Sequence, residues 1–181
     1  GLALVYESIP RTRRMDWAFV LSALTRQKDG GRTVILTYDS LLFRASKGEQ
    51  EMRRRLVKSG RLESVIALPQ GILPATNILC DLLVFSHGNT SVKMVDARDC
   101  RVKERFTSEM TQENLDEVLR RVSEVTDYSR TVSHEEIAER EYGLSPVDYM
   151  ASARIKVENG VMTATLKAGF TKSLGDAENT Q

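Results

Sequence analysis

The central part of the chain changes its hydrophobic period several times, and each change predicts a new element. A β-branched run from Arg32 to Thr37 follows Gly30-Gly31 and predicts a buried strand. The segment from Ser46 to Lys58 has apolar residues at helical spacing and predicts a helix of about three turns. Two further apolar runs, Leu62 to Leu68 and Ile78 to Phe85, predict a second and a third strand.

Side-chain spacing within the predicted helix indicates how it begins and which way it faces. Ser46 can accept a hydrogen bond from the first turn, and Glu49, three residues later, can reach back to close a capping box. Met52 and Leu56 share one face, so Arg53 to Arg55 are expected on the solvent-facing side.

Loop lengths predict how the three strands pair. A strand, a helix and a strand form a βαβ unit, so Arg32 to Thr37 and Leu62 to Leu68 are expected to be parallel neighbours. The link to Ile78 is too short for a crossover helix. The third strand is therefore predicted to return antiparallel beside the second, at the end of the sheet.

Four blocks of the sequence resemble, in one order, the methylation subunit of type I restriction-modification systems: DWAFVLSAL, GGRTVILTYDSLLFR, LESVIALPQGILPATNI and SHEEIAEREYGLSPVDYM. The resemblance covers roughly Arg13 to Met150. It implies an α/β chain that forms part of a class I, Rossmann-like methyltransferase sheet with a terminal antiparallel hairpin strand. It also implies a DNA adenine-N6 methyltransferase using S-adenosylmethionine, with DNA, a specificity subunit and a restriction subunit as partners.

Two motifs that this class of enzyme needs are missing from the sequence. Gly30-Gly31 precedes a predicted strand, whereas the glycine-rich cofactor turn follows one, and no Pro-Pro pair exists for an Asn/Asp-Pro-Pro-aromatic catalytic motif. The chain, which starts abruptly with Gly1 in an apolar run, is therefore interpreted as a truncated, carboxyl-terminal portion without catalytic or cofactor-binding residues. Alone it is predicted to be inactive and to bind no S-adenosylmethionine. The alternative is a non-catalytic DNA- or protein-interaction module derived from the same fold.

The resemblance places the loop after the second predicted strand beside the pocket for an extruded target base. Leu73 and Pro74 stand where the family commonly has an aromatic residue, while the following Thr76 is retained. Ligands of open α/β sheets bind beyond the carboxyl ends of the strands, which adds the residues after the first strand. Asp39 could instead simply cap a turn. The candidate pocket residues are Tyr38, Asp39, Leu73, Thr76 and Asn77.

Arginines flank the first predicted helix and the first strand, and they are candidates for phosphate contacts. Asp16 is a plausible N-cap of that helix, which buries Trp17, Val20, Leu21 and Leu24. A solvated loop is the alternative explanation for the basic cluster. The candidate DNA-binding residues are Arg11, Arg13, Arg14 and Arg44.

The remainder of the chain predicts one more strand of the methyltransferase-like part, followed by an extension. A strand is expected at Ser91 to Ala97, and a helix at Thr111 to Thr126. A capping box at Ser133 opens a short helix, and Asn159-Gly160 predicts a hairpin within Ala153 to Leu166. The long helix is expected to bury one stripe and to expose two arginines. The stripe comprises Leu115, Val118, Leu119, Val122 and Val125, and the arginines are Arg120 and Arg121.

Length and composition add the remaining expectations. A chain of 181 residues fits a methyltransferase-like part (residues 1–100), an extension (101–170) and a disordered tail (171–181). The net charge of +1 excludes a bulk-basic nucleic-acid module. Two cysteines form no disulfide framework, no His pair has metal-ligand spacing, and no run is apolar enough for a membrane span, so a cytoplasmic protein is expected. The strand at Arg32 to Thr37 should leave an open edge that promotes self-association or is covered by Leu2 to Val5.

Overall fold

The computed structural model describes residues 16–73, 76–103 and 108–150, together with the backbone of three strands beyond residue 150. Its main feature is a five-stranded mixed sheet in the order β1-β3-β2-β4-β7. The strands of this sheet are β1 (Thr33–Tyr38), β2 (Leu62–Ala67), β3 (Cys80–Phe85), β4 (Ser91–Asp96) and β7 (Ser129–Ser133).

Helices connect and cover these strands, and two smaller sheets complete the described part. The α-helices are α1 (Asp16–Thr25), α2 (Lys47–Lys58), α3 (Gln112–Ser123) and α4 (His134–Glu139), and 3-10 turns span Asp39–Leu42 and Pro146–Tyr149. A two-stranded ribbon joins β5 (Val102–Lys103) to β6 (Ser108–Glu109), and a three-stranded sheet contains β8 (Ala153–Glu158), β9 (Val161–Leu166) and β10 (Phe170–Ser173).

The strand order confirms one predicted pairing and corrects another. β3 is antiparallel to β2, as the short link predicted. The predicted adjacency of β1 and β2 is wrong, because β3 is inserted between them and pairs antiparallel with both. β3 is therefore an interior strand, whereas we expected it at the end of the sheet. Its burial explains the position: Leu83 and Phe85 are fully buried, whereas Val34 and Leu36 of β1 are exposed, as on an edge strand.

Beyond β2 the sheet continues through β4, in the predicted methyltransferase-like part, to β7, in the predicted extension. β4 pairs parallel with β2, and β7, which the sequence did not predict as a strand, pairs antiparallel with β4. The described residues through Tyr149 form one compact unit, and residues from Met150 onward form a second. In this second unit the predicted hairpin is confirmed by the β8–β9 pairing, and β10 lies where the tail was expected to begin.

Helix α2 begins as predicted but faces differently. The Ser46 hydroxyl accepts a hydrogen bond from the backbone N–H of Glu49 at 3.4 Å, and Met52 and Leu56 are buried. Arg53, which we expected in solvent, is only 2% exposed. Its guanidinium donates to three backbone carbonyls that belong to the segments packed on this side of the helix. These are the carbonyls of Tyr142 at 2.8 Å, Arg44 at 2.9 Å and Leu41 at 3.3 Å.

Helix α3 is also rotated relative to the prediction. Val118 is buried as expected, but Leu115 and Leu119 are exposed and Arg121 is buried. The Arg121 guanidinium donates to the Asp99 carboxylate at 2.6 Å and to the Asp96 carbonyl at 2.7 Å. A buried, paired charge therefore takes the place of part of the predicted apolar stripe, of which Val118 is buried and Val122 partly buried.

Candidate functional site

Three strands of the main sheet end at one edge. β1 and β2 run in the same direction because each is antiparallel to β3, and β4 is parallel to β2. Their carboxyl ends therefore point the same way, toward the edge where open α/β sheets bind ligands. We call this the carboxyl edge. It carries Tyr38 at the end of β1, Asp39 after it, the β2–β3 loop (described residues 68–73 and 76–79), and Arg98 after β4.

The β2–β3 loop is tied to the end of β1 by its backbone. The N–H of Asp39 donates to the carbonyl of Leu79 at 3.0 Å. Within the loop, the Thr76 hydroxyl accepts from the N–H of Ile78 at 3.2 Å, and Gln70 donates to the Asn77 carbonyl at 3.0 Å. The sequence-predicted pocket residues on these two segments thus lie on connected backbone, and Asn77 is exposed to solvent.

A cavity of about 290 Å³ lies beside β1 and brings two of the predicted pocket residues together. Tyr38 and Leu73 both line it, whereas Asp39, Thr76 and Asn77 do not. Its walls are mostly apolar and include two exposed aromatic rings. The lining residues are Asp16, Phe19, Val20, Ile35, Leu36, Thr37, Tyr38, Leu73 and Cys80.

The cavity follows the outer edge of β1. Successive strand residues point to opposite faces, so Ile35 and Leu36 approach it from different sides of the sheet. Within the described residues β1 pairs only with β3, which leaves the other side of its backbone without a strand. The predicted cover, Leu2 to Val5, lies outside the described residues. We call the cavity together with this side of β1, which no described strand covers, the groove.

A cluster of carboxyl groups lies at the carboxyl edge of the sheet. Asp81 is in register with Thr37 of β1 and Ala67 of β2, and Ala67 is in register with Asp96 of β4, so all four side chains share one face. Asp81 is 1% exposed, and its Oδ2 atom has no hydrogen-bond partner in the described structure. Asp81 is not among the predicted site residues, although an acid inside the apolar run ILCDLLVF was a usable signal.

Burial dominates the electrostatics of this cluster. It raises the pKa of Asp81 to about 8; the negative charge of Asp39 adds to the effect and Arg98 opposes it. Burial also raises the pKa of Asp39, again against the influence of Arg98. The Arg98 guanidinium itself holds both oxygens of Asp96, at 2.9 and 3.1 Å. At neutral pH this part of the edge thus combines a protonated Asp81 with the paired charges of Arg98 and Asp96.

The predicted DNA-binding arginines fall into two groups. Arg11, Arg13 and Arg14 lie outside the described residues. Arg44 is used inside the chain, since its guanidinium donates to Asp16 and Glu49 at 3.1 Å each and to the Ser40 hydroxyl at 2.6 Å. Its side chain is only 18% exposed. A DNA contact by Arg44 remains a prediction, and it would require part of this network to open.

Comparison with known proteins decides the family. The family model described as N-6 DNA Methylase matches residues 3–158 of this chain. The chain belongs to the N-6 DNA methylase family. The match extends from before β1 through β8, so it includes the carboxyl edge, the β2–β3 loop and the acidic cluster described above.

Solved structures of similar proteins agree with this family. The type I restriction-modification system methyltransferase subunit from Streptococcus thermophilus is 26% identical, with a TM-score of 0.70 over 74% of this chain. A modification subunit of a putative type I restriction enzyme from Vibrio vulnificus YJ016 shares the fold at 22% identity, with a TM-score of 0.58 over 70% of the chain. The chain spans 30% and 29% of the length of these two proteins.

Glycine geometry tests whether this N-6 DNA methylase chain offers a cradle for S-adenosylmethionine. The positive-φ glycines of the described part are Gly30, Gly60, Gly71 and Gly88. Gly71 alone among them follows a strand that points to the carboxyl edge, and there a Cβ atom would meet the Ser108 hydroxyl at 3.3 Å. A position packed against protein does not fit a cofactor cradle. Among the described residues there is also no cluster of three metal-ligating side chains, and no helix there is long and apolar enough to span a membrane.

Proposed function

We propose that this chain is the carboxyl-terminal portion of a type I methylation subunit, which transfers a methyl group from S-adenosylmethionine to N6 of adenine in DNA. The observation that carries the proposal is the connection between the β2–β3 loop and the end of β1 at the carboxyl edge, in a chain of the N-6 DNA methylase family. In this arrangement the chain supplies the loop that borders the extruded base, together with contacts to DNA and to partner subunits. The remainder of the subunit supplies the cofactor cradle and the catalytic motif.

The open edge of β1 supports this division of roles. A groove that borders both faces of an edge strand favours strand addition, and the two structural relatives are more than three times as long as the part matched here. We therefore infer that a strand from the rest of the subunit pairs with β1. Until it does, the isolated chain is expected to self-associate through the same edge.

Mixing the two portions tests this function. We expect the isolated chain to sediment as an oligomer and to show no saturable calorimetric binding of S-adenosylmethionine. Addition of the remaining portion of the subunit should convert it to a one-to-one complex that methylates adenine-containing DNA. Leu36→Lys, which places a charge in the groove, should block this assembly.

A non-catalytic interaction module is the second candidate, and the lack of a glycine cradle at the carboxyl edge among the described residues favours it. This alternative predicts a complex that binds DNA or a specificity subunit yet transfers no methyl group. Transfer of labelled methyl groups to unmethylated DNA, with N6-methyladenine DNA as the control substrate, separates the two functions.

We also propose that the DNA contribution of this chain is electrostatic and comes from Arg11, Arg13, Arg14 and Arg44, and we test Arg13 and Arg14 together. Each phosphate contact contributes a slope of about −0.9 to log K against log salt. The double substitution by glutamine in the assembled subunit should flatten the slope by about two units. Arg44→Gln should change it less, because Asp16 and Glu49 already hold that guanidinium. Arg54→Gln, on an exposed helix surface, is the matched control, and a larger effect there would contradict this placement of the DNA face.

A further inference from the structure

The β2–β3 loop is fastened to the protein at a point that the sequence did not indicate. The Arg101 guanidinium, through Nη1, donates to the carbonyl of Gln70 at 2.7 Å and to the hydroxyl of Ser108 at 3.0 Å. The backbone N–H of Ser108 in turn donates to the carbonyl of Gly71 at 3.0 Å. Two successive loop carbonyls, of Gln70 and Gly71, are thus held from outside the loop by Arg101 and Ser108, which belong to the segment of the β5–β6 ribbon. We call these contacts the clamp.

Gly71 makes this close approach possible. Its φ of +81° lies in the left-handed region that side-chain-bearing residues rarely adopt. A Cβ atom there would lie 3.3 Å from the Ser108 hydroxyl and 3.7 Å from Oδ1 of Asn77. The loop therefore turns sharply against Ser108, which is buried, and any residue larger than glycine would press on the clamp.

The clamp acts on the beginning of the loop, while the backbone bond from Asp39 to Leu79 holds its end. Leu73, which lines the cavity beside Tyr38, lies two residues after Gly71. A shift of the clamped carbonyls would therefore move Leu73 relative to the cavity wall.

We propose that Arg101 is a positioning residue, which together with Ser108 holds the β2–β3 loop in the conformation that receives the extruded adenine. This inference rests on the proposed function for the identity of the base. Arg101 touches no reacting atom in this scheme. It acts through the loop by fixing the distance between Leu73 and Tyr38, and a misplaced loop lowers the rate of methyl transfer because the base is held less well.

The clamp itself is tested on this chain by hydrogen exchange. Arg101→Gln removes a charged donor to Gln70. The protected amides beside it, Ser108 bonded to the Gly71 carbonyl and Leu68 bonded to the Cys80 carbonyl, are expected to exchange about tenfold faster, which corresponds to the loss of roughly one hydrogen bond. Arg101→Lys retains a cationic donor and should restore most of the protection. Arg120→Gln, on the exposed surface of α3, is the control and should leave the loop unchanged. Unchanged exchange in Arg101→Gln would overturn the proposal.

Its consequence for the base is tested in the assembled subunit with DNA that carries 2-aminopurine at the target position. Arg101→Gln should reduce the fluorescence increase that reports base extrusion and lower kcat by about tenfold or more, with the KM for S-adenosylmethionine unchanged. Faster exchange with normal fluorescence and kcat would overturn the positioning role. If the unmodified assembly itself transfers no methyl group, the proposed function fails, and the exchange result alone then decides whether the clamp exists.

Discussion

Arg53→Gln is expected to lower the free energy of unfolding by about 3 kcal/mol, since the loss of a buried charged donor leaves several carbonyls without partners. The Arg53 guanidinium donates to the carbonyls of Leu41, Arg44 and Tyr142, which belong to two different segments packed against α2. Glutamine is shorter and has one amide group, so it can satisfy at most part of this set. The Tyr142 carbonyl is the most sensitive, because both Glu141 and Tyr142 have positive φ and depend on such contacts.

Urea unfolding followed by circular dichroism measures this effect, and Arg54→Gln is the matched control on the same helix. Arg54 binds Glu51 on the surface, where ion pairs contribute little, so its substitution should leave the midpoint nearly unchanged. Equal midpoints for the two variants would show that the Arg53 hydrogen bonds do not hold α2 to the segment after α4. A large loss for Arg53→Gln also means that a triple substitution of Arg53 to Arg55 cannot serve as a neutral control in DNA-binding experiments.

Local patterns predicted four of the five strands of the main sheet, because the apolar period acts over a few residues. β7 was missed, since its five residues SRTVS contain a single apolar side chain. The antiparallel return of β3 followed from the length of the loop before it. Its insertion between β1 and β2 could not be predicted that way, since a crossover helix is compatible with neighbouring strands and with strands one position apart. The almost continuous apolar run of β3, interrupted only by Asp81, was the available hint that it is an interior strand.

Buried charges account for the differences between the predicted and the observed buried faces of α2 and α3. Spacing rules assign arginine to solvent, yet Arg53 and Arg121 are buried because long-range partners, carbonyls and Asp99, satisfy them. For the candidate site, the rule that ligands bind at carboxyl ends of strands selected Tyr38, and the family resemblance selected Leu73. Both line the cavity beside β1, and their role at the target base stays a prediction. The loop clamp at Arg101 was not visible in the sequence, since it joins residues about thirty positions apart.

Asp81→Asn is expected to stabilise the protein at alkaline pH and to change its pH dependence. The folded protein raises the pKa of Asp81 to about 8, mainly by burial and then by the charge of Asp39. In the unfolded chain an aspartate has a pKa of about 3.9. Between these values the native state holds a proton that the unfolded state releases. The contribution of Asp81 to the free energy of unfolding therefore falls as pH rises from about 4 to about 8 and is constant outside that window. The upper limit of this loss is on the order of 5 kcal/mol, at about 1.4 kcal/mol for each pKa unit.

Unfolding free energies measured from pH 5 to pH 9 test this expectation by the difference between variants. Asparagine has nearly the same shape as aspartate but does not ionise. The free energy of unfolding of Asp81→Asn should therefore rise by several kcal/mol relative to that of the unmodified chain as the pH approaches 8. Asp116→Asn on the exposed surface of α3 is the control and should give no such divergence. If the difference between Asp81→Asn and the unmodified chain is the same at pH 5 and pH 8, Asp81 is ionised in the folded protein. The carboxyl edge would then carry one more negative charge facing Asp39. Among the groups of this cluster, only Arg98, which already binds Asp96, would offset it.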